Sequence, residues 1–105
     1  MFPFNKKKQV LKPLNPNDKR YRYHFYGQVQ GVGFRFVASQ TAMQYQLTGW
    51  VRNESDGSVT MEIQGNPMDI KQVISRLHND NYIEIDHYTR EELNPILEDG
   101  FVPRY

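Results

Sequence analysis

The sequence contains no cysteine. That absence excludes a disulfide framework, thiolate zinc sites and thiol nucleophiles, and it suits a reducing cytoplasm. No run of seven or more apolar residues follows the basic Lys6–Lys8 segment, so the start of the chain does not read as a signal peptide. Nothing approaches the ~20 apolar residues of a transmembrane helix. Internal repeats are lacking, as are a Gly-x-Ser-x-Gly elbow and a Gly-Lys-Ser/Thr phosphate loop. The three histidines, His24, His78 and His87, form no i, i+4 pair and no cluster with carboxylates that points to a metal. The expectation is a cytoplasmic protein with no membrane contact, no metal and no cofactor.

The 105 residues suffice for one compact domain, and 38% hydrophobic with 24% charged content is ordinary for a globular chain. The formal charge of +1 hides an asymmetry. Residues 1–20 hold six basic side chains (Lys6, Lys7, Lys8, Lys12, Lys19, Arg20) against Asp18. Taking these from the 13 basic and 12 acidic residues of the chain leaves seven basic and eleven acidic in 21–105. A mildly acidic body argues against a broad nucleic-acid-binding face. Residues 1–18, with Pro3, Pro13 and Pro16 and no period, read as an irregular or disordered basic extension, leaving 19–105 as the domain.

From Tyr21 the pattern sharpens. Aromatics alternate with Arg22 and His24 through Tyr26, as in a half-buried strand. Three glycines between Gly27 and Gly33 make a loop. Phe34, Val37, Ala38, Thr41, Ala42 and Tyr45 then form a helical stripe. Leu47–Asn53 is a short strand, and Ser55-Asp56-Gly57 is a turn. Val59, Met61 and Ile63 alternate with Ser58, Thr60, Glu62 and Gln64, which predicts a strand with one wet face. Asn66-Pro67 caps and opens a helix whose Ile70, Val73, Ile74 and Leu77 share one face. Ile83 and Ile85 mark a further strand. Phe101–Tyr105 suits a last strand, confined by Pro103 to a sheet edge, which points to a monomer. Glu91, Glu92, Glu98 and Asp99 read as a solvated loop.

The order is βαββαβ plus a terminal strand. It predicts an α+β ferredoxin-like sandwich: an antiparallel sheet with two helices on one face and a short C-terminal edge strand.

Chemistry concentrates in Gly27–Arg35, which joins a strand to a helix N-terminus. Glycines there let backbone N–H groups turn into one concavity, and the helix start adds unpaired donors and the positive end of its dipole. Arg35 can supply two parallel hydrogen bonds to phosphate oxygens. The alternative is a tight connection whose Arg makes a surface pair. Asn53, at a strand end before a hairpin, is either a turn residue or an amide that holds a water for attack on phosphorus.

Gly27-Gln28-Val29-Gln30-Gly31-Val32-Gly33-Phe34-Arg35 resembles the first signature of the acylphosphatase family. Gly49-Trp50-Val51-Arg52-Asn53, followed by Gly57-x-Val59 and Gly65, resembles the second, and the likeness runs over roughly 20–105. The resemblance implies hydrolysis of acyl phosphates to carboxylate and inorganic phosphate, the latter also a competitive ligand. It implies that Arg35 binds the phosphoryl group with backbone amides of Gln28, Val29, Gln30, Gly31, Val32, Gly33 and Phe34, and that Asn53 orients the attacking water. Two positions depart from the family pattern. Phe25 replaces a usual aliphatic residue, and Gln46 stands where a glycine usually closes the first helix, so a left-handed cap there costs about 1 kcal/mol.

Two other readings compete. A non-catalytic anion-binding module would keep the cradle without turnover; a carbamoyl-phosphate-handling domain, as in hydrogenase-maturation proteins, is a variant of it. Single-strand RNA binding would require aromatics on the open face of the third strand, where Ser58, Thr60, Glu62 and Gln64 stand instead.

Overall fold

The computed structural model describes residues 11–105. Residues 1–10, including the Lys6–Lys8 run, lie outside the described part. The elements are β1 (Lys19–Gln28), α1 (Phe34–Gln44), β2 (Thr48–Asn53), β3 (Val59–Gly65), α2 (Pro67–His78), β4 (Glu84–Leu93) and β5 (Phe101–Arg104). The sheet order is β4-β1-β3-β2-β5, with β5 pairing parallel to β2 and all other pairs antiparallel. The expected ferredoxin-like sandwich is therefore present, and its edge strand makes the sheet mixed.

The helices cover one sheet face because each presents an apolar stripe to it. Phe25, Val51, Val59, Met61 and Ile63 from the strands are fully buried among Ala38, Ala42, Ile70, Val73 and Leu77 from the helices. Phe25, the aromatic where an aliphatic is usual, packs on Phe34 at the start of α1 with ring centroids 5.0 Å apart. It thereby anchors the helix that carries Arg35. The Asn66 side chain caps α2 by accepting from the Met68 N–H at 2.8 Å, and Pro67 occupies the first turn. Gln46 has φ 58, the only positive φ outside glycine among the described residues, as the missing glycine implied.

The opposite sheet face corrects two expectations. Thr60, Glu62 and Gln64 on β3 are buried, not wet. Arg20 donates to Glu62 (3.0 Å), Gln64 (3.1 Å) and Glu98 (2.8 Å), while Arg22 donates to Glu62 at 2.8 Å. Gln64 exchanges two hydrogen bonds with the backbone of Ile96, at 2.7 and 2.9 Å. Polar alternation thus marks a face sealed by charge pairs and by the 94–99 segment. The acids read as a loop are divided as well. Glu91 and Glu92 lie on β4, facing Arg22 and Lys19, and Glu98 is half-buried against Arg20.

Residues 11–18 are irregular except for a bridge between Lys12 and Glu98 and a turn at Pro16-Asn17. The Lys12 ammonium donates to the Gln46 carbonyl at 2.6 Å, just beyond the C-terminus of α1. A cation is favourable at that end of the helix dipole.

Candidate active site

β1 and β2 both run antiparallel to β3, and their C-terminal ends come to the same end of the sheet: Phe25 and Asn53 both pair with Val59. β1 then breaks register between Tyr26 and Gly27. A side chain at Gly27, where φ is 128, would collide with the Glu84 carbonyl. The released chain forms the 29–33 loop and enters α1 through Gly33, whose left-handed conformation (φ 85, ψ 15) replaces a side-chain cap.

Among the described residues, no backbone N–H from Val29 to Arg35 donates in a turn or loop hydrogen bond, and the first helical bond is Val37 N–H to the Gly33 carbonyl at 2.9 Å. A loop of unpaired amides leading into a helix start is the arrangement that binds an anion. No acidic residue stands in the first turn of α1 to oppose one.

A cavity of about 440 Å³ opens at this end of the sheet. It brings together Val29, Gly31, Gly33, Phe34, Arg35 and Asn53; among the described residues Arg35 is the only charged side chain in its wall. Of the remaining predicted positions, Gln28 ends β1 paired with Glu84, and Val32 packs half-buried against the core; neither is in the wall. Val29 anchors the loop by complete burial of its side chain. Gln30 points its side chain elsewhere: its amide donates to the Glu54 carbonyl at 2.7 Å and the Ser58 carbonyl at 2.9 Å, tying the loop to the β2–β3 hairpin.

Arg35 is half-buried and held by the C-terminal residues. Its Nη1 donates to the Arg104 carbonyl at 3.0 Å, and its guanidinium lies 4.5 Å from the Tyr105 ring centroid. One of five guanidinium N–H groups is thus engaged, and the fork retains donors for an anion. The hairpin beside Asn53 is braced by ionised acids. The Ser58 hydroxyl and N–H hold the Asp56 carboxyl below its ordinary range, and Thr60 and then Arg52 do the same for Glu54. Neither carboxylate lines the cavity.

Sequence reasoning missed three contributors. Ser39 lies one turn beyond Arg35 in the same wall, and its buried hydroxyl has no partner among the described residues; the i, i+4 spacing was an available signal. The Gln30 tether and the Arg104–Tyr105 backing join residues far apart in sequence, and nothing local announces them. No group of His, Asp or Glu that could hold a metal occurs among the described residues, and no helix among them is long and apolar enough to cross a membrane.

Comparison with known proteins gives a consistent result. The family model described as Acylphosphatase matches residues 21–103. A curated acylphosphatase from Geobacillus kaustophilus is 54% identical over 48 residues, 46% of this chain and 51% of that protein. The chain thus spans about half the length of this curated relative. The acylphosphatase structure from Bacillus subtilis superposes with TM-score 0.76 at 27% identity, covering 83% of this chain and 99% of that one. Full-length HypF, described in a phosphate- and nucleotide-bound form, gives TM-score 0.77 at 25% identity over 94% of this chain and 13% of its own.

Proposed function

The chain belongs to the acylphosphatase family, and from that premise we propose that it hydrolyses acyl phosphates to carboxylate and inorganic phosphate. The observation that carries the reading is the convergence of Arg35, a loop of unpaired amides and Asn53 on one cavity. The phosphoryl group sits against the 29–33 loop and the start of α1, and the Arg35 fork bonds its equatorial oxygens. The Asn53 amide holds a water in line for attack. As the water oxygen bonds to phosphorus, the P–O bond to the acyl group breaks and its electrons leave with the carboxylate. The water's protons pass to phosphate oxygen or solvent. Because a carboxylate leaves readily, positioning and stabilisation of the developing charge carry the reaction without a resident cofactor. A monomer working in the cytoplasm belongs to the same proposal.

The test is hydrolysis of benzoyl phosphate with a metal chelator present. Arg35→Gln is expected to lose turnover and inhibition by inorganic phosphate together. Asn53→Ala is expected to lose on the order of 10²–10³ in kcat, the scale for one lost transition-state contact, while keeping most phosphate affinity. Equal loss of both in Asn53→Ala contradicts the division of roles. Phosphate binding by a wild type with no turnover favours a non-catalytic binding module.

A further inference from the structure

Helix α1 has two apolar sides. One, with Phe34, Ala38 and Ala42, fills the core. The other carries Phe36 and Met43, 68% and 58% exposed, with Gln40 between them at spacings of four and three residues. Isolated exposed apolar residues need no explanation, but these two share the wall of the 440 Å³ cavity with Pro103 and Tyr105, next to Arg35. The cavity has the size of a small-molecule site and extends well past the loop that would hold a phosphoryl group. Among the described residues its wall has no cation beyond Arg35, so they offer a second negative charge on the substrate no counter-charge there.

We infer that Phe36, Met43, Pro103 and Tyr105 form a subsite for the acyl group, and that the preferred substrates carry an apolar, aromatic or alkyl, acyl chain. The inference rests on the acyl phosphate hydrolase reading and specifies its substrate class. Burial of the chain against these side chains removes apolar surface from water on both partners, and each well-buried methylene group favours binding by roughly fourfold. A rival lies across the same helix ridge. A second hollow of about 500 Å³ shares Phe36, Gln40 and Met43 and includes Arg76, whose guanidinium lies 3.4 Å from Asp80. An acyl chain ending in a carboxylate would seek Arg76.

The experiment compares acetyl, butyryl, benzoyl and succinyl phosphate on wild type, Arg76→Ala and the double variant Phe36→Ser/Met43→Ser, whose changes lie on the surface. In wild type, kcat/KM should rise at least tenfold or so from acetyl to benzoyl phosphate, the scale for small changes in an apolar subsite. The double variant should lose most of that rise, with the inhibition constant of inorganic phosphate moving by less than about twofold, since phosphate has no acyl group to bury. A flat series, or preference for succinyl phosphate that Arg76→Ala removes, overturns the inference. Calorimetry with acetylphosphonate and benzoylphosphonate reads the subsite without turnover. If no acyl phosphate is hydrolysed, the hydrolase reading fails. A benzoyl preference lost in the double variant still upholds the subsite, and equal binding of the two phosphonates refutes it.

Discussion

Replacing Gln30 by alanine separates the loop from the hairpin without removing any backbone donor. The Gln30 amide bonds two carbonyls, Glu54 at 2.7 Å and Ser58 at 2.9 Å. A net contribution of about 1 kcal/mol per bond sets the cost near 2 kcal/mol. It should not exceed that much, because neither acceptor is orphaned. The Ser58 carbonyl also accepts from the Glu54 N–H, and the Glu54 carbonyl from the Gly57 N–H. For a domain of this size the melting temperature should fall by roughly 8–15 °C.

The larger effect should fall on kcat. On the proposed mechanism the loop amides hold the phosphoryl group and Asn53, beside the hairpin, holds the water, so loosening the tether would misplace one relative to the other. A displacement of ~1 Å can cost about 10²-fold, so a loss of ten- to a hundredfold in kcat is expected with a much smaller change in phosphate inhibition. Gln30→Glu should be worse, since a carboxylate there faces two carbonyl oxygens with nothing to donate. Thermal melts, benzoyl phosphate kinetics and phosphate inhibition on the three proteins decide the matter. A lowered melting temperature with kcat within twofold of wild type refutes the positioning argument, and unchanged stability refutes the hydrogen-bond energetics as well.

Two further outcomes test the scaffold. Gln46→Gly should stabilise the protein by up to about 1 kcal/mol in denaturant titration, because φ 58 is strained for glutamine and glycine's greater unfolded freedom offsets part of the relief. Glu62→Gln should cost about 3 kcal/mol, the low end for breaking a buried pair, since Arg20 keeps Glu98 at 2.8 Å. Burial works against the Glu62 charge, but hydrogen bonds from Arg22 and Arg20 outweigh it and leave the carboxyl below its ordinary 4.5. Its stabilisation is therefore complete above about pH 4.5 and lost as pH falls through the lower folded value, so urea titrations of the Gln variant should show a flatter acid limb.

Features fixed by neighbouring residues were legible in the sequence. The Asn66-Pro67 start and apolar face of α2 need only local stereochemistry, and both were found where expected. The left-handed conformation of Gln46 was expected from the family resemblance, in which a glycine usually closes the first helix. The glycine-rich loop that opens α1 and the strand end at Asn53 were legible too, and they come to one end of the sheet because Phe25 of β1 and Asn53 of β2 pair with the same residue of β3. What escaped reading depends on partners distant in the chain. Polar alternation on β3 looks the same whether water or arginine covers it; here Arg20 meets Glu62 and Glu98 across 42 and 78 residues. The length of β4 was hidden for the same reason, since Thr89, Glu91 and Leu93 have no regular alternation and gain their place from the register with β1. The helical period of α1 identified its core side but gave no sign that Phe36 and Met43 share a cavity wall with Pro103 and Tyr105, which requires β5 to bring the chain's last residues alongside. On the proposed reading, local sequence specifies where a phosphoryl group would bind, whereas the chain-distant contacts decide how firmly Asn53 would face it and which acyl group would fit beside it.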